Sequence, residues 1–183
     1  MKKLILSFAI VIAFTFTVKA QTEGAVNKIN IGGDFLYPTT GLSADTYNYG
    51  FSASVEGEYN IWKKLNVTLS AGYLNMVYKK EIVDLYEGGL DNDTYFPVNL
   101  GGKYYFDKFY VSANAGSALS LNDGRNPAFI YSGGVGKAFS VAPKSNIDVG
   151  LTFRGWTSYI SSVNTKPSTS TFVGFRAAYS FGL

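Results

Sequence analysis

Residues 49–61 alternate without error between two kinds of side chain. Tyr49, Phe51, Ala53, Val55, Gly57, Tyr59 and Ile61 fall on one parity, and Gly50, Ser52, Ser54, Glu56, Glu58 and Asn60 on the other. Successive side chains of a β-strand point to opposite faces, so this period of two predicts a strand with one apolar and one polar face. A chain built from such segments must cover both faces with different solvents.

The pattern recurs seven more times. Ile29, Ile31, Phe35 and Tyr37 oppose Lys28, Asn30, Gly32 and Asp34; Leu65, Val67, Leu69, Ala71 and Tyr73 oppose Asn66, Thr68, Ser70 and Gly72. Phe96, Val98, Leu100, Tyr104 and Phe106 oppose Asn99, Gly101, Lys103 and Tyr105, with Pro97 near the strand start, where a missing donor does least harm. Phe109, Val111, Ala113, Ala115 and Leu119 oppose Ser112, Asn114, Gly116 and Ser120. Around residues 129–139, the face of Phe129, Tyr131 and Val135 also carries Lys137, which must lie at a membrane edge unless the register shifts, because a mid-bilayer lysine costs about 2–4 kcal/mol. Ile147, Val149, Leu151 and Phe153 then oppose Asp148, Gly150, Thr152 and Arg154, and Val173, Phe175, Ala177, Tyr179, Phe181 and Leu183 oppose Gly174, Arg176, Ala178 and Ser180.

Eight strands are an even number, as a closed up-and-down barrel with both ends on one side requires. The connections alternate in length. Those at 62–64, 107–108 and 141–145 are short, whereas 38–48, 79–94, 121–127 and 157–168 are longer. Short turns on one side and long loops on the other are the asymmetry of outer-membrane barrels.

Residues 1–20 stand apart from this pattern. Lys2-Lys3, the apolar run 4–18 and Val18-Lys19-Ala20 have the charged, apolar and small-x-small parts of a secretory signal, which places the mature N-terminus at Gln21 and the barrel domain at 21–183. Lys2, Lys3 and Lys19 are three of the 16 Lys and Arg, and all 13 acids lie beyond residue 20, so the mature chain is formally neutral, 13 against 13. The net charge of +3 belongs to the leader and argues for no nucleic-acid partner. Beyond residue 20 no apolar stretch approaches the roughly 20 residues of a spanning helix. Entry into a membrane would therefore require a closed barrel, because lipid offers no partners to open backbone edges.

A soluble lipocalin-like barrel would show the same alternation, turned inside out. The polar face separates the two. It holds Lys28, Asp34, Glu56, Glu58, Lys103, Asp148, Arg154 and Arg176, four charges of each sign among Gly, Ser, Thr and Asn. Such compensation suits an enclosed network of paired charges. On the apolar face, Tyr37, Tyr49, Tyr59, Tyr73, Tyr104, Phe106, Tyr179 and Phe181 recur toward strand ends, where rings settle at lipid headgroups. The expected fold class is all-β, an eight-stranded antiparallel up-and-down transmembrane β-barrel.

With its leader, the run from Phe96-Pro97-Val98 into Lys103-Tyr104-Tyr105-Phe106, and the terminal segment 174–181, the chain resembles the small eight-stranded outer-membrane barrel family of the OmpX and OmpA-domain type. The resemblance covers the whole mature chain. It implies outer-membrane localisation among lipid and lipopolysaccharide. It also implies a C-terminal signal for the barrel-assembly machinery, carried by Gly174, Tyr179 and Phe181. Gly182-Leu183 follow Phe181, a departure from an aromatic terminus.

Catalytic options are few. With no His, a Ser-His-Asp triad and ordinary zinc sites are out of reach, and the outer-membrane hydrolases and proteases that use histidine lend no activity by resemblance. With no Cys there is no disulfide framework or lipid-anchor cysteine. The segment 133–138 lacks the first Gly and the Ser/Thr of a phosphate loop, which would fall at Tyr131 and Ala138. Glu81, Asp84, Glu87, Asp91 and Asp93 could offer oxygens to calcium, but without an EF-hand pattern a solvated loop is the better account. No cofactor is expected. About eight strands leave an interior just wide enough for side chains, so the expected role is non-enzymatic, structural or surface-interacting, with an external partner at the loops 38–48, 79–94, 121–127 and 157–168. The alternative is a narrow porin-like or OmpW-like conduit for a small or hydrophobic solute, lined by Tyr105, Tyr110 and Trp156.

Overall fold

The computed structural model describes residues 25–85, 91–122, 126–158 and 168–183. The leader at 1–20 lies outside the described residues, as do 86–90, 123–125 and 159–167 of the longer connections. Among the described residues eight antiparallel strands close into one barrel in chain order. They are β1 (Lys28–Thr40), β2 (Tyr47–Trp62), β3 (Leu65–Tyr78), β4 (Asn92–Phe106), β5 (Phe109–Ser120), β6 (Ala128–Ala142), β7 (Ser145–Ser158) and β8 (Ser168–Gly182). Two short helices, α1 (Leu42–Thr46) and α2 (Lys80–Leu85), lie in the longer connections. Neither is long and apolar enough to cross a membrane.

Closure is made by β1 and β8, paired from Lys28↔Gly182 to Thr40↔Thr171. No open edge remains, which is the condition for a sheet in lipid. The faces divide as the alternation predicts. Ile31, Phe51, Val55, Leu69, Leu100 and Leu151 are exposed on the outer wall, while Lys28, Asn30, Glu56, Glu58 and Lys103 are buried inside. This inversion of a soluble protein identifies the wall as lipid-facing, since a water-exposed apolar surface of that extent would not stay monomeric. Rings gather toward the strand ends, with Tyr104 and Phe106 4.8 Å apart, Tyr179 and Phe181 4.7 Å apart, and Phe35 stacked on Tyr49 at 5.8 Å. The chain is a transmembrane β-barrel.

Several boundaries differ from expectation, and the connections expected at 62–64 and 157–168 shrink because Trp62 belongs to β2, Thr157 and Ser158 to β7 and Ser168 to β8. The first outer connection is not 38–48: β1 runs to Thr40 and β2 begins at Tyr47. Pro38 does not end the strand because it needs no donor toward β2, whose pairing with β1 stops at Leu36↔Gly50; toward β8 the register shifts just after it. Pro97 likewise lies inside β4 and not near its start. The β3–β4 ladder passes from Ala71↔Val98 to Leu74↔Tyr95, leaving Pro97 unpaired on that side. In the 79–94 connection, α2 and the start of β4 at Asn92 take up much of the segment. The turn at 141–145 shrinks to Pro143-Lys144, with Lys144 at φ 63.

Lys137 faces outward in the unshifted register, opposite Phe109, the first residue of β5 after the Asp107-Lys108 turn. It therefore sits toward the short-turn end, the membrane edge that its charge requires.

Candidate functional site

The barrel interior is arranged in three levels. Nearest the short turns is the charge network. Glu58 is its centre: Oε1 accepts from Lys103 Nζ at 2.8 Å and Asn30 Nδ2 at 2.6 Å, and Oε2 accepts from Tyr105 Oη at 2.7 Å and Asn66 Nδ2 at 2.8 Å. Lys28 Nζ lies 3.9 Å from Oε1 and 4.5 Å above the Tyr105 ring. Lys103 also donates to Glu56 Oε1 at 2.7 Å, and Arg176 Nη2 reaches the same oxygen at 3.5 Å. Alternation places these groups inside, and the antiparallel register sets Lys28 opposite Glu58 and Asn66 opposite Lys103. Buried charges persist when paired and hydrogen-bonded, and Lys103, Glu56 and Glu58 meet both conditions.

Asp34 extends the network upward. Its Oδ2 accepts from Ser52 Oγ at 2.8 Å and lies 3.5 Å from Arg154 Nη2 and 3.6 Å from Arg176 Nη1. Thus Lys28, Asp34, Glu56, Glu58, Lys103, Arg154 and Arg176 form one connected set. Asp148 is buried on the same side but is held by Ser180 Oγ at 3.2 Å, with no ion pair within 4.0 Å among the described residues.

Above lies a polar chamber of about 50 Å³, lined by Asp34, Ser54, Asn99, Asn114, Thr152 and Arg176. Asp34 Oδ1 and Thr152 Oγ1 have no hydrogen-bond partner among the described residues. A polar cavity of this size has room for about three waters, so its chemistry is that of a small hydrated compartment.

The third level, toward the long loops, is apolar. Leu36, Leu74, Met76, Ile130 and Phe172 are almost wholly buried and pack with Tyr47, Tyr78, Tyr95 and Trp156. Tyr95 meets Trp156 edge-on at 4.6 Å, and Trp156 lies 5.9 Å from Phe172. Tyr47 and Tyr78 stack at 5.1 Å and both donate to Asp93 Oδ2, at 2.5 and 2.6 Å. Ile82 and Val83 of α2 pack on this cluster from the loop side.

Strict alternation of apolar and polar residues does not mark this apolar level. The signal for it was present: Phe35-Leu36-Tyr37, Tyr73-Leu74 and Phe129-Ile130-Tyr131 are apolar on both parities, as expected where a strand meets lipid on one side and a packed interior on the other. Tyr105, Tyr110 and Trp156, the residues expected to line a conduit, do not share one cluster. All three point inward, but Tyr105 and Tyr110 pack together near the turns and Trp156 belongs to the upper cluster.

Among the described residues no group of three or more His, Cys, Asp or Glu side chains is placed to hold a metal ion. Asp93, counted with the acidic loop from sequence, is turned into the barrel toward Tyr47 and Tyr78. Gly174, Tyr179 and Phe181 lie on β8, with Tyr179 and Phe181 exposed on the outer wall.

No family model matches the chain, and no curated protein matches it. Solved structures do. Neisserial surface protein A is similar with a TM-score of 0.57 at 15% identity, over 86% of this chain and 97% of that one. The outer membrane protein OprG from Pseudomonas aeruginosa gives 0.52 at 12% identity, over 90% and 99%. The outer membrane protein AlkL, solved in lipid bilayers, gives 0.50 at 13% identity, over 92% and 95%. These likenesses establish the fold, that of small eight-stranded outer-membrane barrels, which is the type the resemblance implies.

Proposed function

We propose that the protein is exported by its leader, inserted into an outer membrane through the assembly signal of β8, and acts there without catalysis as an anchor that presents its longer connections to an external partner. The observation that carries this is the interior. Paired charges fill it near the turns, aromatic and aliphatic side chains fill it near the loops, and the chamber between them holds only about 50 Å³. A barrel occupied in this way is a rigid support, and variation in function is left to the segments it displays. The wall of Ile31, Val55, Leu100 and Leu151 supports a surrounding of lipid and lipopolysaccharide.

Purified protein in planar bilayers should give no steady ion conductance, and steady conductance would overturn the anchoring role in favour of a conduit. For a conduit, the packed level of Leu74, Trp156 and Phe172 would have to open. Electrophoresis of the outer-membrane fraction provides the second check: unheated protein should migrate apart from boiled protein, and its absence from that fraction would contradict the proposed location.

A further inference from the structure

Lys137 is the one charged side chain on the outward face of the described strands, and it sits at the rim of a depression in the lipid-facing wall. The depression has a volume of about 460 Å³, within the range of small-molecule sites. Its shape follows from the side chains. The shorter Val111, Val135, Val149 and Leu151 lie between the taller rings of Phe109 and Phe175.

The Lys137 ammonium lies 4.7 Å from the Phe109 ring centre and 5.1 Å from that of Phe139. No carboxylate among the described residues lies within ion-pair distance of it. Neighbouring chain is basic. Lys108 O accepts from Ala138 N at 2.8 Å, and the two short turns that join β4 to β5 and β6 to β7 carry Lys108 and Lys144 against the single acid Asp107. A half-buried cation on the lipid-facing wall beside an apolar groove is complementary to an anion joined to a hydrocarbon chain.

We propose that this groove binds one anionic phospholipid of the leaflet at the short-turn end, an acyl chain lying along Val111, Val135 and Leu151 and the phosphate resting on Lys137. The site rests on the transmembrane fold alone and is independent of what the loops do.

The test is native mass spectrometry of the detergent-solubilised full chain, equilibrated with phosphatidylglycerol or with phosphatidylcholine, which has the same chains and phosphate but no net charge. The wild type should retain one phosphatidylglycerol in preference to phosphatidylcholine. Lys137→Gln should lower retention about fivefold, Lys137→Arg should keep it, and Leu151→Trp, which fills the groove, should lower it with the charge intact. Lys63→Gln should match the wild type. The proposal is overturned by equal retention in wild type and Lys137→Gln, by undiminished retention in Leu151→Trp, or by no preference between the two lipids. Unheated migration of each variant reports its folding separately, so a failed lipid site remains distinct from a failed barrel.

Discussion

Asp34 and Arg176 are register partners on β1 and β8, the two strands that close the barrel, and their side chains meet inside at 3.6 Å. The closing seam is therefore fastened from within by a charge pair that Arg154 shares at 3.5 Å. Removing Asp34 would leave the part-buried Arg154 guanidinium without its carboxylate and Arg176 with Glu56 alone. Asp34→Ala should lower unfolding stability by about 3–5 kcal/mol, measured as a shift of the urea midpoint in micelles.

Glu58 and Glu56 make a graded pair. Glu58 accepts four hydrogen bonds, whereas Glu56 accepts from Asn30 and Lys103. Glu58→Leu should therefore destabilise more than Glu56→Leu, because it also strands Lys28 and the Tyr105 hydroxyl. Equal urea midpoints for the two variants would contradict this ordering.

The Tyr110 ring lies directly over Gly136, so that a β-carbon there would collide with the ring, whereas at Gly133 the nearest atom to an added β-carbon is 3.7 Å away. Gly136→Ala should cost about 1–3 kcal/mol by overpacking. Gly133→Ala should stay within about 0.5 kcal/mol of the parent. Thermal unfolding of the two variants side by side checks the contrast.

The chain has two tryptophans in opposite settings: Trp62 is 73% exposed at a short turn and Trp156 is 7% exposed in the upper cluster. Acrylamide should quench Trp156→Phe protein, which retains Trp62, far more than Trp62→Phe protein, which retains Trp156. Comparable quenching would mean that the upper level admits solvent. Trp156→Ala should also cost about 3–5 kcal/mol through the cavity it leaves.

Much of this architecture was legible because a barrel wall obeys a strict rule. Each strand residue faces lipid or interior, and the two surroundings select opposite chemistry, so Tyr49 to Ile61 declare their faces residue by residue. The charged interior was legible for the same reason, as Lys28, Glu56, Glu58 and Lys103 share one parity. What the parity does not encode is height. Nothing in alternation tells that Trp156 stands at a different level from Tyr105, or that Asp93 belongs to the interior and not to the loop, because both depend on how far neighbouring strands are staggered. Pro38 and Pro97 misled for a related reason: proline ends a strand only where both edges need its missing donor, and here one side of each is without a partner.

The pairing of Lys28 with Gly182, and the bond from Leu183 N to Asn27 O at 2.9 Å, bring the start of β1 and the end of β8 to the same rim as the short turns. A reporter or a binding module joined directly after β8 would consequently emerge on the turn side, away from the longer connections. Whoever wishes to exhibit a peptide on the opposite face must splice it into a connection such as the one between β5 and β6, where the flanking strands are already locked in register and would tolerate the extra length.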